Sequence, residues 1–577
     1  MEYDVVVRNG FVIDGSGAPG ALSDVAVVGD RIVAMGEVEG NGREEIDAEG
    51  HVVAPGFVDG HTHMDAQVFW DDLGTSSCWH GVTSVVMGNC GFTLAPAHPD
   101  KRDLVVRNLE RAEDISASAM AQGITWTWST FAEYLDAVDA LPKGINYAGS
   151  IGHSALRTWA MGERAFEGPA TEDDLQVMTE ELRDALLAGA AGFSTSRSVA
   201  HETSDGRPVA SRLAAWEEVV ALVDVVGRNS TAAFQLATEV SFDPETRSDQ
   251  HRRLQELALS SGVPVLFGVF ASRHSTGKLP MIEDTVARGG RMYGLTHCRG
   301  VQSAQSFLTR LAFDGLPAWR EVRRRPLAEQ RVLLQDPDVR ARLTYEAHHG
   351  HYPESVGTEA RKPDYESLTI LFSSYLPNPT VADEARRLGI DPVEVMIDVA
   401  LERDFDIFFL QPLTPQPDDA LIDLLRHPMT AMTFSDSGAH VSQIFDASIQ
   451  THLLAYWVRE RQALTLEEAV RMITSNPAQM WSLHDRGLLA PGYAADITIF
   501  DPATVAPLMP KVANDLPGGS ARIEQRAQGY AATIVNGQVL TRDGKATEAR
   551  PGQLLRAGRS IDGSQTDTHR SGRTRRR

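Results

Sequence analysis

The sequence predicts an α/β protein: a (β/α)8 barrel carrying a small β domain assembled from both chain ends. Three observations predict it. Eight short apolar runs alternate with helical stretches through the middle of the chain. Hairpin-like segments rich in Val and Ile stand at both termini, punctuated by Asn-Gly and Gly-Asp pairs. The 577 residues exceed what one hydrophobic core organises, so at least two domains are expected.

Residues 1–55 open the β domain. Tyr3–Arg8 runs through Val5, Val6 and Val7, and Asn9-Gly10 is expected to turn the chain. Phe11-Val12-Ile13, Asp24–Val28 and Arg31–Ala34 follow, separated by Asp14-Gly15 and Gly29-Asp30. Residues 485–555 return to the same texture. Asp496–Phe500 and Ala532–Val539 are strand-like, the second with its own Asn536-Gly537 turn. Domain ends commonly lie close in space, so the two segments can build one unit.

Residues 56–484 carry the barrel pattern. The strand candidates are Gly56–His63, Val82–Gly88, Ile145–Gly152, Ala191–Ser196, Thr231–Leu236, Pro264–Phe270, Met292–Thr296 and Ala431–Ser435. Thr171 and Asp174 form a capping box ahead of a helix whose Leu175, Met178, Leu182, Ala185 and Leu186 recur at helical spacing. Gly189 stands where its C-terminal cap belongs. Thr465 and Glu468 cap a second helix, which Pro477 is expected to stop. Residues 299–403 are long for one barrel connection and read as an insertion at the mouth, where loops shape access to the site. Residues 556–577 are mostly Ser, Gly, Thr and Arg with almost no apolar content, and a disordered basic tail is expected.

Composition removes several functions. With 42% hydrophobic and 23% charged residues, disorder is excluded for most of the length. A net charge of −24 argues against a nucleic-acid partner, which requires a basic surface. No run approaches the roughly 18 apolar residues of a membrane span. The opening MEYDVVVRNG has no signal-peptide core. Cys78, Cys90 and Cys298 are too few for a disulfide framework in this length, which fits a reducing compartment. A soluble, cytoplasmic protein without a membrane partner is the expectation.

Chemistry concentrates at strand ends. In Gly56–Asp65, an apolar strand delivers His61 and His63 at i, i+2 spacing. Residues two apart on a strand face the same way, so both imidazoles can share one metal; polar histidines satisfied by other partners are the alternative. Cys90, in Gly88-Asn89-Cys90-Gly91, follows the second strand. From spacing alone it reads as a small buried residue in a glycine-rich turn, with a thiolate ligand as the alternative. Cys78 and Cys298 are read as packing residues. Asp436 ends the eighth strand in Ser435-Asp436-Ser437-Gly438-Ala439-His440. A carboxylate there suits a metal ligand that also moves protons, and a helix N-cap is the alternative.

Taken together, these motifs resemble the amidohydrolase superfamily, and within it the D-aminoacylase (N-acyl-D-amino-acid deacylase) branch. The resemblance is carried by Asp4–Gly10, Ala54–His63, Gly88–Phe92, Gly152–Arg157, Gly192–Thr195, Ser435–His440 and Pro491–Asp496. It covers about residues 1–550. It implies a TIM-like (β/α)8 barrel with a small β-sandwich domain built from both chain ends. It implies zinc ligands at His61, His63, Cys90 and Asp436, with Asp436 taking a proton from an attacking water and returning it to the leaving amine.

The sequence also departs from that branch, which carries further zinc-binding histidines after strands five and six. Here those strands end without one; His274 lies beyond the strand, and His153, His201 and Glu239 are the substitutes in sight. One tightly held zinc ion is therefore expected. The branch's arginine soon after the strand-eight aspartate has no clear counterpart, so Arg157, Arg197 and Arg299, with His153 and His440, are the substrate-binding candidates. The expected reaction is hydrolysis of a small-molecule amide, in first place an N-acyl-D-amino acid. Another linear or cyclic amide, or a catalytically silent scaffold, are the alternatives.

Overall fold

The computed structural model describes residues 2–414 and 416–557, so the basic tail expected over 556–577 lies almost wholly outside the described residues. Eight parallel strands run in order through the central sheet, and the short Leu554–Leu555 pairs in parallel beside one of them, Asn146–Gly152, as a ninth. The eight are β1 (Phe57–Asp59), β2 (Val82–Met87), β3 (Asn146–Gly152), β4 (Gly192–Ser196), β5 (Ala233–Ala237), β6 (Val265–Gly268), β7 (Met292–Thr296) and β8 (Thr430–Met432). Each of the eight expected strands is present. Thr62 bridges Ser437 in parallel, the His63 N–H donates to the Ser437 carbonyl at 2.8 Å, and the sheet thereby meets itself as a barrel.

The strands are buried on both faces, as a parallel sheet wrapped by helices must be. β2 is buried along its whole length, and so is β3. Inside the barrel the side chains are small: Ala148, Ala191, Ala233 and Ala431 stand among Val86, Leu266 and Leu295. The space they leave admits the indole of Trp481. A Cβ at Gly60 would lie 2.4 Å from its Nε1, so glycine is required for that approach.

The capping boxes form as expected. Thr171 and Asp174 open the helix Glu172–Leu187, and Gly189 follows it at φ +102°. Thr465 and Glu468 open Leu466–Ile473. Pro477 does not stop that helix. The break falls at Thr474, and Pro477 sits in the first turn of the next helix, Ser475–Met480, where a missing N–H costs nothing.

Both chain ends share one nine-stranded sheet. Val52–Pro55 pairs in parallel with Tyr3–Val12 and antiparallel with Ile497–Phe500, in the register Val53↔Ile499. Val5, Val7, Val25, Val27, Ile497, Ile499 and Ile534 form its common core. Asn536-Gly537 makes the expected tight turn between Tyr530–Val535 and Gln538–Arg542. Asn9-Gly10 does not turn the chain. Tyr3–Val12 is a single strand, and its register against Ala21–Val28 shifts between Val7 and Gly10. Asn9, at φ +59°, places a bulge there instead.

The long β7–β8 connection has its own core around Phe307, Phe313, Trp319, Met396 and Phe405. Its three-stranded sheet joins Val301–Gln305, Phe409–Thr414 and Thr369–Ile370, so the folded insertion runs on to Thr414. Contacts that dock it on the barrel mouth include Thr358 Oγ1 to His440 Nδ1 at 2.9 Å, Glu359 to Arg111 at 2.9 Å and Arg310 to Asp114 at 3.2 Å. Among the described residues, no helix is long and apolar enough to cross a membrane.

Candidate metal centre

The C-terminal ends of β1, β2, β4 and β8 converge on one buried cluster. His61 and His63 follow β1 on either side of Thr62, which bridges Ser437. The Nε2 of His61 lies 3.2 Å and that of His63 3.5 Å from Asp436 Oδ1. Cys90 Sγ lies 3.4 Å from His61 Nε2. His61, His63 and Cys90 are buried, and Asp436, with 15% of its side chain exposed, opens the group to solvent.

Tight backbone turns hold these side chains in place. Cys90 and Asp436 both adopt left-handed backbone, at φ +55° and +51°, as does His440 at +49°. Such conformations in residues other than glycine concentrate at functional sites. Gly88 at φ +80° and Gly91 at +81° flank Cys90, and its N–H donates to Gln235 Oε1 on β5 at 2.7 Å. Asp65 accepts from the Gly88 N–H at 3.0 Å and steadies the same turn. Below the cluster, Asp59 accepts from the His61 N–H at 3.3 Å and from Gln450 at 3.3 Å. Phe434 stacks on the His61 ring at 4.0 Å.

Glu113 completes the cluster and was invisible in the sequence. It lies just past the helix Arg102–Glu110, in the β2–β3 connection, and is 1% exposed. Its Oε2 stands 3.6 Å from His63 Nε2 and 3.5 Å from His440 Nε2, and its Oε1 has no hydrogen-bond partner. In Arg111-Ala112-Glu113-Asp114 it reads as one charge among several at a helix end. Only its burial distinguishes it.

The cluster is short of positive charge. Among the described residues, the ion-pair partners of Asp436 and Glu113 are histidines alone. Burial, then the negative charges of Asp436 and Asp65, push the Glu113 carboxyl well above its ordinary range. Burial, then Glu113 and Asp436, push the Cys90 thiol well up. Burial pushes His63 down, and His201 down to about 3. Burial also lifts Asp65, to about 7. For Asp436 burial acts upward too, but hydrogen bonds from His61 and His63 outweigh it and hold the carboxylate well below its usual range.

A cation is what such a donor set lacks. Ligands about 2.0–2.3 Å from a tetrahedral zinc stand about 3.3–3.8 Å apart. The separations of 3.2, 3.4 and 3.5 Å among Asp436, Cys90, His61 and His63 are close to that spacing. Sulfur, imidazole and carboxylate together suit zinc better than calcium or magnesium, which take oxygen ligands.

Of the substrate-binding candidates, only His440 reaches this cluster. His153 and Arg157 turn instead to Glu218, at 2.8 Å from His153 Nε2 and 2.6 Å from Arg157 Nη1, in a buried ion cluster. Arg197 pairs with Glu239, and Arg299 with Asp446 at 2.5 Å. Of the substitutes in sight for further metal ligands, His201 is here, while His153 and Glu239 are held elsewhere.

Residues 44–541 match the amidohydrolase family. The chain belongs to that family. It is 29% identical over 568 residues to N-acyl-D-aspartate deacylase of Alcaligenes xylosoxydans xylosoxydans, covering 98% of this chain and 97% of that one. It is 27% identical over 564 residues to D-aminoacylase of the same organism, covering 96% and 97%. A solved D-aminoacylase structure superposes with a TM-score of 0.63 at 24% identity, covering 96% of this chain and all of that one. N-acyl-D-glutamate deacylase of Bordetella bronchiseptica, solved with zinc and a phosphonate mimic of the tetrahedral intermediate, gives 0.62 at 24% identity and 96% coverage of this chain. These likenesses establish the fold: an amidohydrolase barrel joined to a sheet built from both ends of the chain.

Proposed function

We propose that this amidohydrolase is a zinc enzyme that removes the acyl group from N-acyl-D-amino acids. The observation that carries the reading is the approach of Asp436 Oδ1 to both His61 Nε2 and His63 Nε2, with Cys90 Sγ beside them. His61, His63, Cys90 and Asp436 would hold the metal. When bound, zinc supplies Lewis acidity at neutral pH. Asp436, partly open to solvent, is the group able to accept a proton from an attacking water and hand it to the departing amine. His440 stands at the same mouth.

The substrate class is supported by relatives of near-identical length that are named as deacylases of N-acyl-D-amino acids. The three cysteines are free and buried, which supports a cytoplasmic setting. A second reading, hydrolysis of another linear or cyclic amide, draws on the arginines. Arg157, Arg197 and Arg299 are each engaged by a carboxylate of the protein, which leaves them committed before a substrate carboxylate arrives.

A screen of the zinc-loaded protein against N-acyl-D- and N-acyl-L-amino acids and cyclic amides tests the reading. Turnover confined to the D-series supports it, and turnover of cyclic amides alone replaces it with the second. Bound zinc without turnover of any amide favours a silent scaffold.

A further inference from the structure

We propose that a cavity outside the barrel wall, headed by Lys278, binds a small organic carboxylate with an apolar chain. The cavity lies between the end of β5 and the helices Trp216–Asn229, Pro244–Ser261 and Lys278–Ala287, which follow β4, β5 and β6. None of His61, His63, Cys90, Glu113 or Asp436 lines it. The inference does not depend on the proposed reaction.

A buried cation without a counter-charge is the first support. Lys278 is 6% exposed and lines the cavity. Its Nζ donates to Thr238 Oγ1 and to the Gly268 carbonyl, each at 2.9 Å, and stands 5.6 Å from the centroid of the Phe267 ring. An ammonium has three donors, so one is left over. Among the described residues, no carboxylate pairs with it. The one carboxylate lining the cavity, Glu239, is taken by Arg197 and by Gln250 Nε2 at 2.8 Å. Arg253, also on the wall, pairs with Asp249 at 2.7 Å. Lys278 is thus the charge that remains, and buried charges ordinarily have partners. Burial draws it down to about 8, which still leaves it charged at pH 7.

The wall beside that ammonium is the second support. Leu236 belongs to the outer core with Leu254 and Met281, whereas Ala233 of the same strand packs inside the barrel. Leu236, Leu254 and Met281 line the cavity together with Trp216 and give it an apolar side. Its empty volume is about 430 Å³, within the usual range of a small-molecule site. A carboxylate on Lys278 with its chain laid along this side uses both features. Inorganic phosphate would use the lysine and leave the apolar side facing water.

The test is isothermal titration calorimetry of the zinc-loaded full chain with sodium hexanoate, hexanamide and inorganic phosphate as separate probes. Wild type is expected to bind hexanoate, and hexanamide at least about tenfold more weakly, the factor that one charge-assisted hydrogen bond supplies. Lys278→Met, which keeps the length and removes the charge, should weaken hexanoate by about the same factor. His251→Glu sets a carboxylate into the cavity wall at a half-buried position and should weaken hexanoate likewise. Thermal unfolding identifies a variant that fails to fold, and His251→Glu keeps the test open if Lys278→Met does not fold. A wild type that binds no hexanoate overturns the site. So does wild-type affinity in every folded variant, the result expected of hexanoate held at the metal instead. Both outcomes leave the proposed function standing. Equal binding of hexanamide overturns the anionic head, and tighter binding of phosphate overturns the apolar chain.

Discussion

Asp436 meets His61 twice: its backbone N–H donates to the His61 carbonyl at 3.1 Å, and its Oδ1 lies 3.2 Å from His61 Nε2. The backbone bond helps close the barrel between β1 and β8. The side-chain contact places a carboxylate and an imidazole at the seam. Fold closure and site assembly are therefore one event, and the metal position inherits the rigidity of the barrel.

His61→Ala and His63→Ala are expected to lose the metal and keep the fold. Each removes one Nε2 that faces Asp436, while the strand preceding it stays buried. Metal content and far-ultraviolet circular dichroism of both variants check this. Full metal retention by either variant would be incompatible with the ligand set.

Asp436→Asn should lower turnover by about 10²–10⁴-fold, the usual worth of general acid–base help. Asparagine keeps the shape and a weak oxygen ligand but cannot accept a proton. Turnover is compared at equal metal content. A variant within about tenfold of wild type, or 1.36 kcal/mol, would leave Asp436 without the shuttle role.

The Glu218 cluster is expected to carry stability rather than chemistry. Burial raises the Glu218 carboxyl, but His153 and Arg157 outweigh it and draw it down to about 2. A depressed carboxyl contributes fully above its unfolded value near 4.3 and loses that contribution as pH falls toward 2. Glu218→Gln leaves the Arg157 charge buried and unpaired, a loss of about 3–5 kcal/mol at neutral pH. Denaturant unfolding at pH 7 and pH 3 checks both parts. The gap between variant and wild type should shrink at the lower pH; a constant gap would contradict the assignment.

Gly88→Ala should damage the fold and the site together. A Cβ there would lie 2.0 Å from the Ser150 carbonyl oxygen, at a φ of +80° that disfavours side chains. Overpacking of this kind costs about 1–3 kcal/mol, and backbone strain adds to it. The turn carrying Cys90 must shift, so metal affinity should fall with the melting temperature. Wild-type values for both would show that the turn is more yielding than its contacts imply.

Most of the barrel was legible because its strands are continuous apolar runs and its helices carry explicit caps, such as Thr171 with Asp174. His61, His63 and Asp436 were legible because each lies within a few residues of the C-terminal end of a barrel strand. Asn9-Gly10 misled because the same dipeptide serves a turn and a bulge, and the choice depends on the partner strand. Pro477 misled because a proline tolerated in a first turn looks like one that ends a helix. His153 and Arg157 stand in a motif that resembles a site, yet Glu218, 61 residues on from Arg157, claims both. Glu113 lies in a crossover segment with no periodicity, and only the closed barrel brings it to Cys90, whereas His201 was in sight as a substitute ligand.

Anomalous scattering at the zinc edge, from crystals of the zinc-loaded protein, bears most directly on the central claim. The account predicts a peak in contact with His61 Nε2, His63 Nε2 and Asp436 Oδ1, at about 2.0–2.2 Å from each. A zinc-loaded, active protein with no peak at those atoms would contradict it.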